Sequence, residues 1–548
     1  MDRNTLLAFF LISIVLVLTP KYIELVSPTP DRVSTINEPS PDTTATPTAI
    51  KTNVAPIEII NKAPNPLNNS YSEEKSTEVI TDLYSMVVSS TGGGTIKSFK
   101  LNKYFTSDSQ AVELINNNNN LVLAGKDLDG EPLSLLGPWE LITHNKNRTN
   151  NTQELIYKKE VFDGQFIYKN ISFYHDNYLI DVGLDLSGIA NNIYRDVSFG
   201  WGGGLSPTEK NLSDDLYYFN SYVYQGGELE NLKVDTGDSE NKRFNGEADW
   251  AALRTKYFAM AIIPKTPDHI ESANLSGRGD SVEVYGASFV FDPTNKTDFR
   301  LYVGPLEYDR IKSLGVGLEA IMDFGWSFIR PISKGVLYAL KKMHGFIPNY
   351  GFVLIVFAFL VKLIVYPLTK KSYQSTSAMQ ALAPEINSLK EKYKSNPQKL
   401  NQATMELYKA RGVNPLGGCL PMLLQMPLLF ALFQVFRTTI ELRSEPFVWW
   451  ITDLSSPDTI FLLPFNVPIY GNHVAVLPIL MVISMFVQQK MMTGAAQQPQ
   501  QKTMQYFMTG FFFLMFNGFP SGLNLYYTLF NVLTIAQQKL IPPDTQTA

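Results

Sequence analysis

Cys419 is the chain's single cysteine, so no intramolecular disulfide can form and each folded part must be held by its own core. Histidine is nearly as scarce. His144, His175, His269, His344 and His473 lie far apart, with no His-x-x-x-His or Cys-x-x-Cys spacing of the kind that holds a metal. Gly92–Gly94 and Gly202–Gly204 lack the Lys-Ser/Thr continuation and helix context of a phosphate loop and read as tight turns, so no nucleotide-binding motif supplies energy. The apolar segments of the second half show neither inverted repeats nor several acidic residues, which argues against a solute transporter. Asn116–Asn120 reads as a polar loop, and the acidic pairs Glu73-Glu74 and Asp214-Asp215 sit in polar surroundings, where a solvated surface is the ordinary reading. A membrane-anchored, carbohydrate-binding or carbohydrate-active β-sandwich stays open as an alternative, because its carboxylates could converge only in three dimensions.

What is present divides into two unlike halves. Residues 1–348 carry 32 Lys+Arg against 43 Asp+Glu, a balance of −11, whereas residues 349–548 carry 14 against 8, a balance of +6; together they give the overall −5. The first half is polar and acidic, the second apolar and basic, so a mean hydropathy near zero averages a soluble part with a membrane part.

At the N terminus an uncharged stretch from Asn4 to Pro20 follows Met1-Asp2-Arg3, and no small-x-small cleavage site follows it. Residues 1–21 therefore read as an uncleaved anchor with its N terminus inside. Residues 22–56, rich in Pro, Thr, Ser and Asn, read as a disordered tether. From 57 to 317, short alternating runs such as Gln165–Phe173, Tyr178–Leu186 and Ser281–Phe291, separated by turn signals, predict an all-β domain large enough for two packed sheets. Leu318–Met343 predicts an amphipathic helix, within a segment 318–348, that has Ile321, Phe324, Phe328, Ile329 and Ile332 on one side and a kink at Pro331.

Within 349–540 five apolar segments, at about 350–369, 417–437, 474–491, 504–518 and 521–540, read as transmembrane helices. Residues 370–411, between the first two, hold eight Lys+Arg against three Asp+Glu, and such a stretch stays in the cytosol. With the anchor, six spans then place residues 21–348 outside and both termini, including the short tail 541–548, inside. Met379, Leu382, Ile386 and Leu389, a turn at Ser395-Asn396-Pro397, and Leu400, Met405 and Leu407-Tyr408 predict a cytoplasmic helical hairpin over 370–415. Its positive charge suits a topology signal, acidic lipid headgroups or ribosomal RNA.

Lys362 interrupts the apolar run Phe352–Leu368, roughly 12 Å along a helix from Lys370 at the cytosolic boundary. A lysine at the centre of a membrane helix costs about 2.5 to 3.5 kcal/mol on insertion scales, so it either snorkels to the headgroups or faces a bundle interior or wet cavity. Tyr366, four residues on, shares its face. Gln425, Gln488, Asn524, Tyr527 and Asn531 are polar groups inside spans, where they line a groove or bind helix to helix.

Tyr366-Pro367-Leu368-Thr369-Lys370, Val413-Asn414-Pro415-Leu416-Gly417-Gly418-Cys419 with Pro421 and Gln425-Met426-Pro427, and Phe519-Pro520-Ser521-Gly522-Leu523 with Tyr526-Tyr527 closely resemble the YidC branch of the YidC/Oxa/Alb membrane protein insertases. The likeness extends upstream through Trp250, Tyr257-Phe258-Ala259, Val303-Gly304-Pro305 and Gly325-Trp326 with Pro331. It implies a bacterial inner-membrane protein with a periplasmic β-supersandwich, an interfacial helix, a five-helix core and a cytoplasmic hairpin. It also implies a non-enzymatic insertase and chaperone without cofactor or metal, acting on nascent membrane proteins in the lipid bilayer, alone or with the Sec translocon, and meeting the ribosome through the hairpin; DNA is not among the implied partners. In the family pattern the position of Lys362 is usually arginine, within a hydrophilic groove open to cytosol and lipid. Gln488 and Tyr527 match the same groove pattern. Lysine keeps the positive charge but loses the bidentate fork.

Overall fold

The structure, a computed structural model, describes residues 73–540 except 116, 148–150, 281, 395, 414–419, 468–469 and 494–498. The expected anchor and tether, the short tail and the Gly417-Gly418-Cys419 part of the motif lie outside the described residues.

Alternation builds the β region. Strand Gln165–Tyr174 turns Ile167, Lys169, Ile171 and Phe173 inward and its neighbour Leu179–Asp185 turns Ile180, Val182 and Leu184 inward, a period of two that pays out one face to the core. Trp250–Arg254 and Phe258–Pro264 are buried along their whole length, as central strands covered on both faces are. All named strand pairs are antiparallel, in a nine-stranded, a five-stranded and a four-stranded sheet, with a separate two-stranded hairpin in the second half of the chain. Phe199 and Phe289 of the five-stranded sheet meet Phe299 of the nine-stranded sheet at ring-centroid distances of 4.8 and 6.0 Å, so aromatic rings fill the space between the two layers.

The glycine and asparagine clusters explain one another. Gly92, Gly93 and Gly94 all have positive φ, and a Cβ on Gly93 would press into the Trp139 ring. A Cβ on Gly203 would strike the Asn117 amide, which donates to the Gly203 carbonyl. Asn120 is fully buried, accepting from Ile96 N and donating to Ile96 O as a strand partner would. The asparagine loop thus has an inward face as well as a polar one.

The described helices are α1 (Leu212–Leu216), α2 (Tyr308–Lys312), α3 (Arg330–His344), α4 (Tyr350–Ala381), α5 (Ala383–Lys392), α6 (Pro397–Ala410), α7 (Leu420–Thr438), α8 (Val476–Thr493), α9 (Pro499–Phe516) and α10 (Ser521–Leu540). The single kinked helix expected from Leu318 is not what forms. A short 3₁₀ turn at Leu318–Ile321 gives way to a bend at Gly325, whose φ of 81° suits glycine, and Pro331 then opens α3 in the first turn, where its missing N–H costs nothing. Of the five residues expected on one side, Ile321, Phe324 and Ile329 are buried while Phe328 and Ile332 are exposed, as are Trp326 and Tyr338. α3 packs inward through Ser333, Val336, Leu337 and Leu340.

Among the described residues one helix, α4, is long and apolar enough to cross a membrane by itself; Val476–Met491 and Tyr506–Phe516 are shorter apolar helices. The six-span count therefore narrows here to a helical C-terminal region. α10 reads as less apolar because Asn524, Tyr527, Asn531, Thr534 and Gln537 are spaced along its buried face. α4, with 32 residues, is roughly 48 Å long and outruns a bilayer core of about 30 Å, so its last turns continue past Lys370-Lys371. After it, α5 and α6 form the hairpin; Asn396 caps α6 by accepting from Lys399 N, and Leu382, Ile386 and Val413 form its small core.

Ion pairs join the β region to the helices. Asp214 on α1 lies 2.7 Å from Lys256 in the β region and 2.7 Å from Arg437 near the end of α7, and Arg443 lies 2.8 Å from Glu209. Burial pushes the Asp214 carboxyl up, yet Lys256 and Arg437 outweigh it and hold the group below its ordinary value.

Candidate functional site

The site begins with the entry of α4. Asn349 caps it by accepting from Phe352 N, and the helix then runs with Phe352, Phe359, Leu360, Leu363 and Ile364 exposed on one side and Val353, Leu354, Phe357, Ala358 and Val361 buried on the other. Lys362 falls on the buried side and is only 7% exposed. Its stem turns inward to the neighbouring helix. The ammonium donates to the Thr534 hydroxyl on α10 at 2.7 Å, and its nitrogen stands 4.7 Å from the centroid of the Phe530 ring and 5.8 Å from that of Tyr373. Both ring distances lie within cation–π range. Among the described residues no carboxylate pairs with it, so a hydroxyl and two ring faces stand where a counter-ion would.

A polar seam extends from that contact in both directions. Toward the C-terminal end of α10 Gln537 donates to the Thr369 hydroxyl on α4 at 2.9 Å, while Thr369 itself donates back to Val365 and Tyr366 carbonyls of its own helix. Toward the N-terminal end of α10 Asn531 donates to the Ser484 hydroxyl on α8 at 3.2 Å, and the Ser484 hydroxyl donates to the Met481 carbonyl at 2.7 Å. α4, α8 and α10 are thereby linked by three side-chain hydrogen bonds on one face of α10, each of the kind that binds helix to helix in a bilayer.

The seven residues singled out in the sequence are not gathered into one cluster. Lys362 and Asn531 are in the seam. Tyr366, one turn from Lys362, is 42% exposed and stands at the seam's edge. Gln488 is half-buried one turn beyond Ser484 on α8, and Gln425 is half-buried on α7, a helix outside the seam. Asn524 and Tyr527 lie at the far end of α10, with Asn524 about 15 Å along the helix from Thr534. Asn524 donates to the carbonyls of Phe516 and Phe519 at 3.2 and 3.3 Å, which ties the α9–α10 turn. Its own side-chain oxygen, and the hydroxyls of Tyr526 and Tyr527, are buried with no hydrogen-bond partner among the described residues.

Thr534, Thr369, Gln537 and Ser484 are not among the residues singled out from the sequence. The signal was there: Asn524, Tyr527, Asn531, Thr534 and Gln537 recur every three or four residues, the spacing of one helix face. Threonine and serine hide in apolar helices because their hydroxyls can return to a carbonyl four residues back, as Thr534 does to Phe530.

A seam of this chemistry can hold a negative or hydrated group within a helix bundle, but it carries no nucleophile aligned with a base. The family model described as the 60Kd inner membrane protein matches residues 342–547, and the one described as the YidC periplasmic domain matches residues 76–334. The membrane protein insertase YidC of Prosthecochloris aestuarii (strain DSM 271 / SK 413) is 37% identical over 98% of this chain and 94% of its own length. Those of Chlorobium luteolum (strain DSM 273 / BCRC 81028 / 2530) and Chlorobium limicola (strain DSM 245 / NBRC 103803 / 6330) are 39% and 36% identical, over 87% and 100% of this chain and 84% and 96% of theirs. A solved structure of an active YidC insertase with its first transmembrane domain resolved is 19% identical, with a TM-score of 0.37 over 85% of this chain and 92% of that one. With two family models spanning most of the chain and relatives above one-third identity along its length, this chain belongs to the YidC family of membrane protein insertases, inner-membrane proteins that are not enzymes.

Proposed function

We propose that this chain inserts nascent membrane proteins into the bilayer, and assists their folding, by giving the polar flank of each client a hydrated, positively charged place to rest while its apolar segment passes into lipid. The observation that carries this reading is Lys362: a cation almost fully buried at the junction of α4 and α10, held by a hydroxyl and, among the described residues, by no carboxylate. A client's acidic side chain can take the place of Thr534 at the ammonium, and a charge-assisted hydrogen bond of that kind contributes about 1.5 to 3 kcal/mol. The driving force is the client's own transfer from water, with the membrane potential acting on its charges.

In this reading six spans place the β region in the periplasm and both termini in the cytosol, with domains over 1–21, 22–56, 57–317, 318–348, 349–540 and 541–548. Lys362, Tyr366, Gln488 and Asn531 form the inner contact line for clients; Gln425, Asn524 and Tyr527 extend it across the bundle. The basic hairpin α5–α6 meets the ribosome, and the β region docks onto the Sec translocon when the two work together. The test is insertion of short single-span proteins into liposomes holding only this chain. Clients with acidic translocated tails are expected to lose insertion with Lys362→Met while clients with neutral tails keep it. Equal insertion of both kinds by Lys362→Met and the parent would overturn the role given to Lys362.

A further inference from the structure

Between α7 and α8 the chain makes an excursion that the seam does not use. Strands Thr459–Val467 and Gly471–Ala475 form an antiparallel hairpin set apart from the large sheets. Its base is closed. Asp458, just before it, accepts from Val476 N and Leu477 N just after it, and also from the Trp450 indole. Asn517, in the α9–α10 turn, donates to the carbonyls of Tyr470 and His473, and Tyr470 lies 5.4 Å, ring to ring, from Phe513 of α9. The hairpin is therefore held in a fixed direction beside the ends of three helices rather than left to swing.

Its surface is wrong for water. Ile460, Phe461, Leu462 and Phe465 are each more than half exposed, on both faces of the strand, where a hairpin lying on a soluble domain would alternate apolar and polar. From Thr459 to Gln489 the chain carries no Lys, Arg, Asp or Glu, so the uncharged stretch of α8 that ends before Lys490 continues back into the hairpin without a break. Its exposed apolar side chains match those of α4 that face lipid, Phe359 and Ile364 among them.

Its backbone sets the depth. Two strands leave two open edges, and pairing lapses between Leu462 and Val467, where Pro464 has no N–H to satisfy. Open edges are not tolerated in hydrocarbon, but they are satisfied at the headgroup level, where water and phosphate oxygens reach. Exposed Trp449, stacked on Trp450 at the hairpin's root, has the amphipathic ring favoured at the same level.

We infer that the Thr459–Ala475 hairpin is a membrane-interface anchor, seated among the headgroups and upper acyl chains of the periplasmic leaflet, which fixes the outer ends of α8, α9 and α10 against the lipid. This rests on the membrane placement proposed above, and the test separates the two. In full-length protein carrying Cys419→Ser and reconstituted in liposomes, single cysteines at Phe461, Leu462 and Phe465 are labelled with an environment-sensitive fluorophore. They are then challenged with lipids bearing a nitroxide either near the headgroup or near the chain end. Ile364→Cys on α4 marks the hydrocarbon, and Tyr194→Cys on the β region marks water. The hairpin labels are expected to lose most emission to the shallow nitroxide, with Ile364→Cys losing most to the deep one and Tyr194→Cys losing least to either. Hairpin labels that behave like Tyr194→Cys while Ile364→Cys is quenched overturn the anchor alone. Quenching of none of them overturns the membrane placement as well. Hairpin cysteines that instead cross-link between copies, in proportion to protein per lipid, make a second copy the occupant and also overturn the anchor.

Discussion

Among the described residues three lysines are buried, Lys169 and Lys256 in the β region and Lys362 in the helical region; Lys256 is paired with Asp214, and burial does not separate the two that have no carboxylate partner. Lys169 in the β region is fully enclosed and Lys362 in the helical region is 7% exposed. Each sits between aromatic rings: Trp139 and Phe199 at 6.0 and 5.6 Å, against Phe530 and Tyr373 at 4.7 and 5.8 Å. What differs is what fills their donors. Lys169 donates to two main-chain carbonyls, Gly92 at 3.0 Å and Leu121 at 2.7 Å, which the fold fixes in place. Lys362 donates to one side-chain hydroxyl, that of Thr534, whose own donor returns to the Phe530 carbonyl. The first lysine is a cross-brace between loops; the second, in the function proposed above, has a partner that a client displaces.

The strongest way to break this contrast is to truncate both. Lys169→Ala strands two buried carbonyls and empties the volume of a long stem, and each stranded polar group costs about 1 to 3 kcal/mol, so the β region is expected to lose roughly 3 to 5 kcal/mol. Lys362→Ala should leave the unfolding free energy of the β region within about 0.5 kcal/mol of the parent, since the two sites share no partner. Equal losses of β-region stability from both would mean that the two lysines play one structural role.

Proton linkage supplies a second test on the β side. Burial pulls the Lys169 ammonium down to about 7 from its ordinary 10.5. Between those values the unfolded chain binds the proton that the folded chain gives up, so stability rises with pH across that window by up to about 1.4 kcal/mol per unit. Below about pH 7 both states are protonated and the penalty is present in full; above 10.5 it is gone. Denaturant unfolding at pH 7 and pH 9 should show this rise in the parent, and Lys169→Met, which has nothing to titrate, should remove it. An unchanged slope in Lys169→Met would place the titration elsewhere.

On the helical side the expected effect is on clients rather than stability. With Lys362→Met, insertion of clients with acidic tails into liposomes should fall by about tenfold, the loss of roughly 1.4 kcal/mol of attraction, and Lys362→Arg should restore it. Neutral-tailed clients should change by less than about twofold, below half a kcal/mol.

Much of this contrast could be read in the sequence, and the part that could not has a physical cause. A single charge within Phe352–Leu368 announces itself because a bilayer makes every charge expensive, so Lys362 needed no structure to be found. Lys169 is as deeply buried but looks like any strand lysine. Only its register, on the same face as Ile167, Ile171 and Phe173, places it inward, and its carbonyl partners come from loops 77 and 48 residues away. Helical periodicity likewise shows the polar stripe of α10, but not that its lower half joins α4 and α8 while Asn524 serves the α9–α10 turn. The hairpin at Thr459–Ala475 escaped for another reason: an apolar run of that length reads equally as loop, strand or the start of a span, and only its pairing decides.

The finest test concerns the hydroxyl itself. If Thr534 is a resting partner that a client's carboxylate displaces, its removal lowers the cost of displacement by about 1 kcal/mol, the net worth of a hydrogen bond. Thr534→Val, nearly the same shape without the hydroxyl, should then raise insertion of acidic-tailed clients by up to about fivefold and leave neutral-tailed clients unchanged, while Thr534→Ser should behave as the parent. The opposite sign discriminates. A fall with Thr534→Val toward the level of Lys362→Met would mean that the hydroxyl holds Lys362 in position as the two carbonyls hold Lys169, and the distinction between a braced lysine and a displaceable one would fail at the point where it was drawn.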